Sequence, residues 1–327
     1  MDADNCLNKK VGFWVEFMFR DKFFATSMVR NVAIFVVLGL ASLVAAGPAT
    51  LRSRQDIEEF RQFLEGIKRG NGNAEQFQSR KRNLPFANDE ELSGKFQGDI
   101  VLDDEDYEMM LQEYAVGRSA YSSSSIGPWP SNTVVFEFAD GEFNDAQKAA
   151  IWEAVRDIEA HTCVKFRYRT SSDTVYTRIT GEPSGCYANV GHRVSRGAHQ
   201  MNLARNTVGV GCFRHATIVH EFMHILGFLH MHTTFNRDEY VQINEQNIAR
   251  GSEHNFDLYG VSKVDNLGID YDYVSCMHYG PYSFTANGAP TIEARQRNVS
   301  NMGQRDYITD SDWLRINRYY NCPGAWN

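Results

Sequence analysis

Residues 220–230, HEFMHILGFLH, place three imidazoles and one carboxylate within eleven residues. On an α-helix His220 and His224 stand about 40° apart in rotation and one turn apart in height. Two imidazoles can therefore reach one metal ion from a single helical face. Glu221 follows the first His and can lie beside the ion without binding it. Gly227 can adopt positive φ and end the helix, which lets the chain turn back and bring His230 to the same ion. Three neutral His nitrogens leave a coordination position open, as a catalytic rather than a structural zinc site requires. Water at such a metal is acidified, and Glu221 is placed to take its proton. Two His at i,i+4 alone also suit a plain structural helix. Gly227 and His230 add two further positions at fixed offsets, which that plain reading does not explain.

These residues need elements to hold them. The helix carrying His220 is predicted to start near Arg214. Residues 133–139 (TVVFEFA) and 164–170 (VKFRYRT) alternate as half-buried strands do, and 174–179 (TVYTRI) is a weaker third. Between the first two, residues 145–162 carry Ile151, Val155 and Ile158 as a helical apolar stripe, with Asn144 as N-cap. Residues 199–204 (HQMNLA) are predicted as an edge strand. Thr309 and Asp312 have capping-box spacing, so 309–320 reads as the last helix. The whole is an α+β pattern.

The 327 residues carry a formal charge of −8, which argues against a nucleic-acid partner. Of six cysteines, Cys6 stands alone near the start, and Cys163, Cys186, Cys212, Cys276 and Cys322 lie beyond residue 118. No CxxC pair occurs, so a cysteine-rich zinc module is not expected. In a secreted chain these residues would form disulfides and leave one unpaired.

Residues 32–46 form an apolar run of 15 preceded by Arg30 and ended by small residues. That is short for a membrane span of about 20 and fits a signal-peptide core, so 1–46 reads as a signal peptide with Met28 as a possible true start. An uncleaved anchor is the rival. Residues 47–118 carry 10 basic and 15 acidic side chains and read as a separable propeptide. Within it, 56–69 has a helical apolar pattern, 70–83 reads as a polar link, and Asp103 to Asp106 as a solvated acidic run. Residues 117–125 (GRSAYSSSS) suit an exposed processing site. A trypsin-like protease cutting after Arg118 would leave Ser119 or Ala120 at the start of a catalytic domain, 119–327. Asn298-Val299-Ser300 is an N-glycosylation sequon.

HEFMHILGFLH, followed by HTTFNRD (232–238) and SCMHY (275–279), resembles the astacin family of zinc endopeptidases. The resemblance implies a two-lobed fold. Its N-terminal lobe holds a twisted, mostly parallel sheet and long helices; its C-terminal lobe is irregular and ends in a helix. It implies one Zn²⁺ per subunit on His220, His224 and His230, with Glu221 as general base. Met277 would form the Met-turn floor, and Tyr279 would be a movable ligand and oxyanion donor. It implies the disulfides Cys163–Cys322 and Cys186–Cys212, leaving Cys276 buried and free. FQGD (96–99) resembles the family's FxGD propeptide motif, in which the Asp, here Asp99, binds the zinc of the zymogen. Arg305, in a region where family members vary specificity, is a candidate for the pocket that takes the residue after the scissile bond. A solvated surface Arg is the alternative. The sequence departs from the family's HExxHxxGFxHExxRxDRD at Met231, Thr234 and Asn236. The missing Glu at 231 leaves open how a freed N-terminus is anchored. The expected function is a secreted zymogen of a zinc endopeptidase acting on proteins or peptides, with no membrane attachment after signal removal. A non-catalytic binding protein and a metal-dependent amidase are the rivals.

Overall fold

The computed structural model describes residues 52–69, 74–83, 87–115, 126–260 and 264–327. The expected signal peptide, Cys6 and the expected cleavage point at Arg118 and Ser119 lie outside the described residues. Among those described, no helix is long and apolar enough to cross a membrane.

The described residues of the N-terminal segment form three helices: α1 (Arg54–Arg69), α2 (Ala74–Asn83) and α3 (Asp104–Ala115). In α1 the apolar face buries Phe60 and Leu64. These pack with Phe96, Ile100, Met110, Val190 and Tyr259 in a satellite core that joins the segment to the rest of the molecule. Helix α2 stands where a polar link was expected. Its Ala, Glu, Gln, Arg and Lys are good helix formers, and Phe77 supplies one buried anchor. The acidic run 103–106 is solvated only at Asp104 and Glu105. Asp103 and Asp106 cap α3 reciprocally, Asp106 N–H donating to Asp103 Oδ1 at 2.9 Å and Asp103 N–H to Asp106 Oδ2 at 3.0 Å. Asp106 is fully buried against two arginines described below.

A five-stranded sheet follows, built from β1 (Thr133–Phe138), β2 (Lys165–Tyr168), β3 (Tyr176–Thr180), β4 (Cys186–Ala188) and β5 (Ala198–Leu203) in the order β2-β1-β3-β5-β4. The pairs β1–β2, β1–β3 and β3–β5 are parallel, and only β4 runs antiparallel to its neighbour. Strand β5, expected at the edge, is interior; the three-residue β4 is the edge. Helices α4 (Asp145–His161) and α5 (His215–Leu226) supply the apolar cover. Ile151, Val155 and Ile158 from α4 meet Ile218, Phe222 and Ile225 from α5 in one core with Val134, Phe136, Ile179 and Met201 of the sheet. Asn144 caps α4 through a full capping box with Gln147.

Past His230 the chain is mostly short turns, with one antiparallel pair, β6 (Val241–Ile243) and β7 (Ile292–Ala294), and a final helix α6 (Asp310–Tyr319). Thr309 caps α6 with Asp312 in the expected capping box. Among the described residues the disulfides are Cys163–Cys322 and Cys186–Cys212, and Cys276 is free and buried. The first joins residues 159 apart in sequence and ties the end of α4 to the C-terminus. Closing a loop of that size in the unfolded chain stabilises by roughly 4–5 kcal/mol. The C163S/C322S double variant is therefore expected to unfold at markedly lower denaturant, with a loss near that figure in urea titration.

Candidate metal centre

Helix α5 is buried along its length, and its C-terminal carbonyls are satisfied from outside the helix. Gly191 N–H donates to the His224 carbonyl at 2.9 Å, Trp129 Nε1 to Ile225 at 2.8 Å and the Tyr320 hydroxyl to Leu226 at 3.0 Å. Gly227 then ends the helix at φ 110°, in the left-handed region. A side chain there would press on the Tyr319 ring. Phe228 to His230 fold back across the helix face.

The result brings His220, His224, His230 and Asp99 together, one ligand atom of each lying within 4.8 Å of the others. Asp99 Oδ2 is 3.0 Å from His220 Nε2 and 3.2 Å from His230 Nε2, and Oδ1 is 3.5 Å from His224 Nε2. All four residues are buried. Each imidazole is fixed from behind. Nδ1–H donates from His220 to the Cys276 carbonyl at 2.8 Å, from His224 to the Phe228 carbonyl at 2.8 Å and from His230 to Gln97 Oε1 at 3.0 Å. That sets the tautomer: every Nε2 lone pair points at one place. Burial lowers the His220 pKa and takes His230 down to about 4, so the neutral, ligating form is held. The donor set of three imidazoles and a carboxylate suits zinc. His224 Nε2 and Asp99 Oδ1 are buried with no hydrogen-bond partner in the protein, as atoms committed to a cation would be.

Glu221 is fully buried, and neither carboxylate oxygen has a hydrogen-bond partner. Burial first, and the Asp99 charge second, push its pKa well above the ordinary carboxylate value. Met277 is buried in the turn below, its carbonyl accepting from Met231 N–H at 2.8 Å. Tyr279 stacks on His232, with ring centroids 3.8 Å apart, and lies 4.8 Å from the His230 ring. Its hydroxyl donates to the Gln97 carbonyl at 2.6 Å. Burial raises its pKa well above 10, so it is a neutral donor.

The segment bearing Asp99 is positioned by backbone. Ala188 N–H on edge strand β4 donates to the Asp99 carbonyl at 2.9 Å, and Val101 N–H donates to the Ala188 carbonyl at 2.8 Å. Phe96 and Ile100 exchange hydrogen bonds around a tight reversal in which Gln97 and Gly98 have φ of 47° and 86°. A Cβ on Gly98 would stand 2.8 Å from the Glu91 backbone, so the close approach requires glycine. Sequence reasoning passed over Gln97. It holds His230 and Tyr279 as above and donates Nε2–H to Tyr259 at 2.8 Å. Its place inside FQGD was the one available signal.

Arg305 is buried rather than a surface residue. Its Nε donates to Glu90 Oε1 at 2.7 Å and its Nη1 to the His278 carbonyl at 3.2 Å. Burial would raise the Glu90 pKa, but the Arg305 charge and further favourable contacts outweigh it and hold Glu90 below the ordinary range. At the departures from the family pattern, Met231 is buried in an apolar cluster with Val241, Phe256 and Tyr279. Thr234 and Asn236 are both hydrogen-bonded to the side chain of Asn266. Asn298 lies on an exposed loop at φ 63°.

A mostly parallel sheet over a His-bearing helix, a third His after a glycine stop and a buried Met turn define a zinc peptidase of the metzincin type. The chain belongs to the Astacin family of peptidases, whose sequence model matches residues 122–321. It is 35% identical to Seminal metalloprotease 1 of Drosophila melanogaster over 73% of this chain and 91% of that protein. It is 34% identical to Meprin A subunit beta of Homo sapiens over 70% of this chain and 30% of that one. Zinc metalloproteinase nas-13 of Caenorhabditis elegans is 35% identical over 64% of this chain, and the chain spans 44% of its length. Among solved structures, High choriolytic enzyme 1, a hatching enzyme zinc-protease from Oryzias latipes, superposes with TM-score 0.54 at 33% identity, covering 62% of this chain and 98% of that one. The chain is thus a zinc metalloendopeptidase by family, and its three-His cluster with Asp99 is a group able to hold the metal.

Asp312 is a further residue not singled out from sequence except as a cap. Buried at the start of α6, it accepts from Ser275 Oγ at 2.6 Å and from Cys276 N–H at 3.0 Å. It thereby holds the turn whose Cys276 carbonyl orients His220. Removing the carboxylate strands two buried donors, at about 2–3 kcal/mol. Loosening a partner behind a metal ligand typically costs about 10–100-fold in metal affinity. Asp312→Ala is expected to lower the melting temperature and to release zinc to a chelator at about tenfold lower chelator concentration.

Proposed function

We propose that the chain is the zymogen of a secreted endopeptidase, in which residues 47–118 are the propeptide and Asp99 is its inhibitory ligand. The observation that carries this reading is the Asp99 carboxylate set among three His Nε2 atoms, where an attacking water would otherwise stand. The apolar run 32–46 and the two disulfides support an extracellular destination. Cleavage after Arg118 by a trypsin-like protease would start the mature chain at Ser119 or Ala120. Asn298, on its exposed loop, suits a glycan.

In the processed enzyme His220, His224 and His230 hold zinc, which supplies a Lewis acid to polarise the scissile carbonyl and acidify water. Glu221 accepts the proton of the attacking water and hands it to the leaving amine nitrogen. Tyr279, freed from Gln97, donates its O–H to the carbonyl oxygen as negative charge builds there. Met277 closes the floor of the site. Arg305 keeps one carboxylate, that of Glu90, in a buried pocket beside the His cluster. With Glu90 gone, the same guanidinium favours Asp or Glu in the residue after the scissile bond.

Two variants test the assignment. Glu221→Ala should retain zinc and lose roughly 10²–10⁴ in kcat on a protein substrate, as loss of a general base does; wild-type turnover in that variant would reject the role. Asp99→Ala should give the full-length, unprocessed chain measurable activity, read alongside N-terminal sequencing of the active species. A silent, unprocessed Asp99→Ala chain would reject the inhibitory role.

A further inference from the structure

Among the described residues, every carboxylate paired with Arg193 and Arg196 belongs to the N-terminal segment. Arg193 bonds Asp103 through Nη2 and Asp106 Oδ1 through Nη1 at 2.7 Å, with Glu105 3.7 Å from its Nε. Arg196 reaches Asp103 Oδ2 from Nε at 2.9 Å and Asp106 Oδ2 from Nη2 at 2.8 Å. Ser195 Oγ, between them in sequence, donates to Glu105 at 2.8 Å. The two arginine side chains are only 1% and 4% exposed. Beyond these carboxylates, the Arg193 backbone N–H donates to His199 Nε2 and Arg196 Nη1 to the Val190 carbonyl, neither of which carries an opposing charge. Two like charges are thus packed side by side, and burial together with Arg196 pulls the Arg193 pKa down to about 10. Among the described residues after 118, no carboxylate lies within ion-pair distance of either guanidinium.

The place of this pair matters as much as its charge. Asp99 sits on the metal ligands, residues 99–101 hydrogen-bond along edge strand β4, and Asp103 is only four residues further on. A fully extended chain covers at most about 14 Å in four residues. The arginines therefore lie near the centre, off the end of the edge with which residues 99–101 pair, and a peptide added to that same edge would run towards them.

We propose that Arg193 and Arg196 form, in the processed enzyme, a docking site for an acidic stretch of a protein substrate some residues away from the bond that is cut. The inference rests on the zymogen reading, since it is removal of residues 103–106 that opens the site. Two forked guanidiniums already arranged for carboxylates can pair the side chains of an Asp/Glu cluster with little reordering.

The test uses the full-length chain, activated by cleavage, and three quenched peptides with one common cleavable core. One carries Asp-Asp-Glu-Asp on the N-terminal flank, one on the C-terminal flank, and one carries Asn-Asn-Gln-Asn on both. The core is identical, so the Arg305 pocket meets the same residue in each. One acidic peptide is expected to show kcat/KM about tenfold above the neutral peptide, through KM, with the advantage fading as salt rises. R193A/R196A should abolish the advantage and leave the neutral peptide unchanged; R193K/R196K should keep part of it. Equal kcat/KM for all three peptides with the unsubstituted enzyme overturns the proposal, whether or not the double variant folds. So does an advantage that survives in R193A/R196A. Cleavage of none of the peptides by the processed enzyme would reject instead the activation reading on which the site depends.

Discussion

Three imidazoles must be neutral, buried and aimed at one point, and most of the architecture follows from that demand. A buried His that keeps its lone pair on Nε2 needs an acceptor for Nδ1–H. Two of the three acceptors are main-chain carbonyls, those of Phe228 and Cys276. A carbonyl is only as steady as the loop that bears it. Hence the glycine stop that returns Phe228 against α5, and hence the buried Asp312 that pins the turn at Cys276. The sheet, the two covering helices and the capped end of α5 make a frame stiff enough for such placement.

The third acceptor is different in kind. His230 relies on the Gln97 side chain, which belongs to the N-terminal segment. The same residue takes the Tyr279 hydroxyl on its carbonyl. One glutamine therefore occupies two groups of the centre while Asp99, two residues on, occupies the metal ligands. The segment holds the site by a carboxylate at the His cluster, main-chain pairing at β4, buried ion pairs to Arg305, Arg193 and Arg196, and an apolar core around Phe60, Leu64, Phe96 and Ile100.

What could be read from sequence was what local geometry encodes. The His spacing is a property of one helix and one stop, so HEFMHILGFLH located the centre unaided. The caps at Asn144 and Thr309 were legible for the same reason. FQGD and SCMHY became informative through resemblance to a family rather than through any periodicity. The misses are long-range or short-run. Strand β4 has three residues, too few to show alternation, so β5 reads from sequence as an edge. Asp103 and Asp106 stand at capping-box spacing, which could have announced α3. Their charge points to solvent, and nothing local reveals two arginines that lie between 87 and 93 positions from them. Glu90 and Arg305 are separated by 215 positions and could not be paired from the sequence.

The tether between residue 115 and the catalytic domain has a thermodynamic meaning of its own. While it is intact, the N-terminal segment is an intramolecular ligand, present at an effective concentration in the millimolar range typical of short linkers. Cutting the tether removes none of the contacts: the carboxylate at the His cluster, the Arg193 and Arg196 pairs and the satellite core all remain. It changes only the reference state, from a fixed local concentration to whatever the surrounding solution supplies. A nicked but concentrated preparation would therefore stay occupied, and the same preparation diluted below the dissociation constant of the freed segment would empty. On the proposed reading, the dose of enzyme and the fate of its severed segment become as much a part of switching it on as the cut itself.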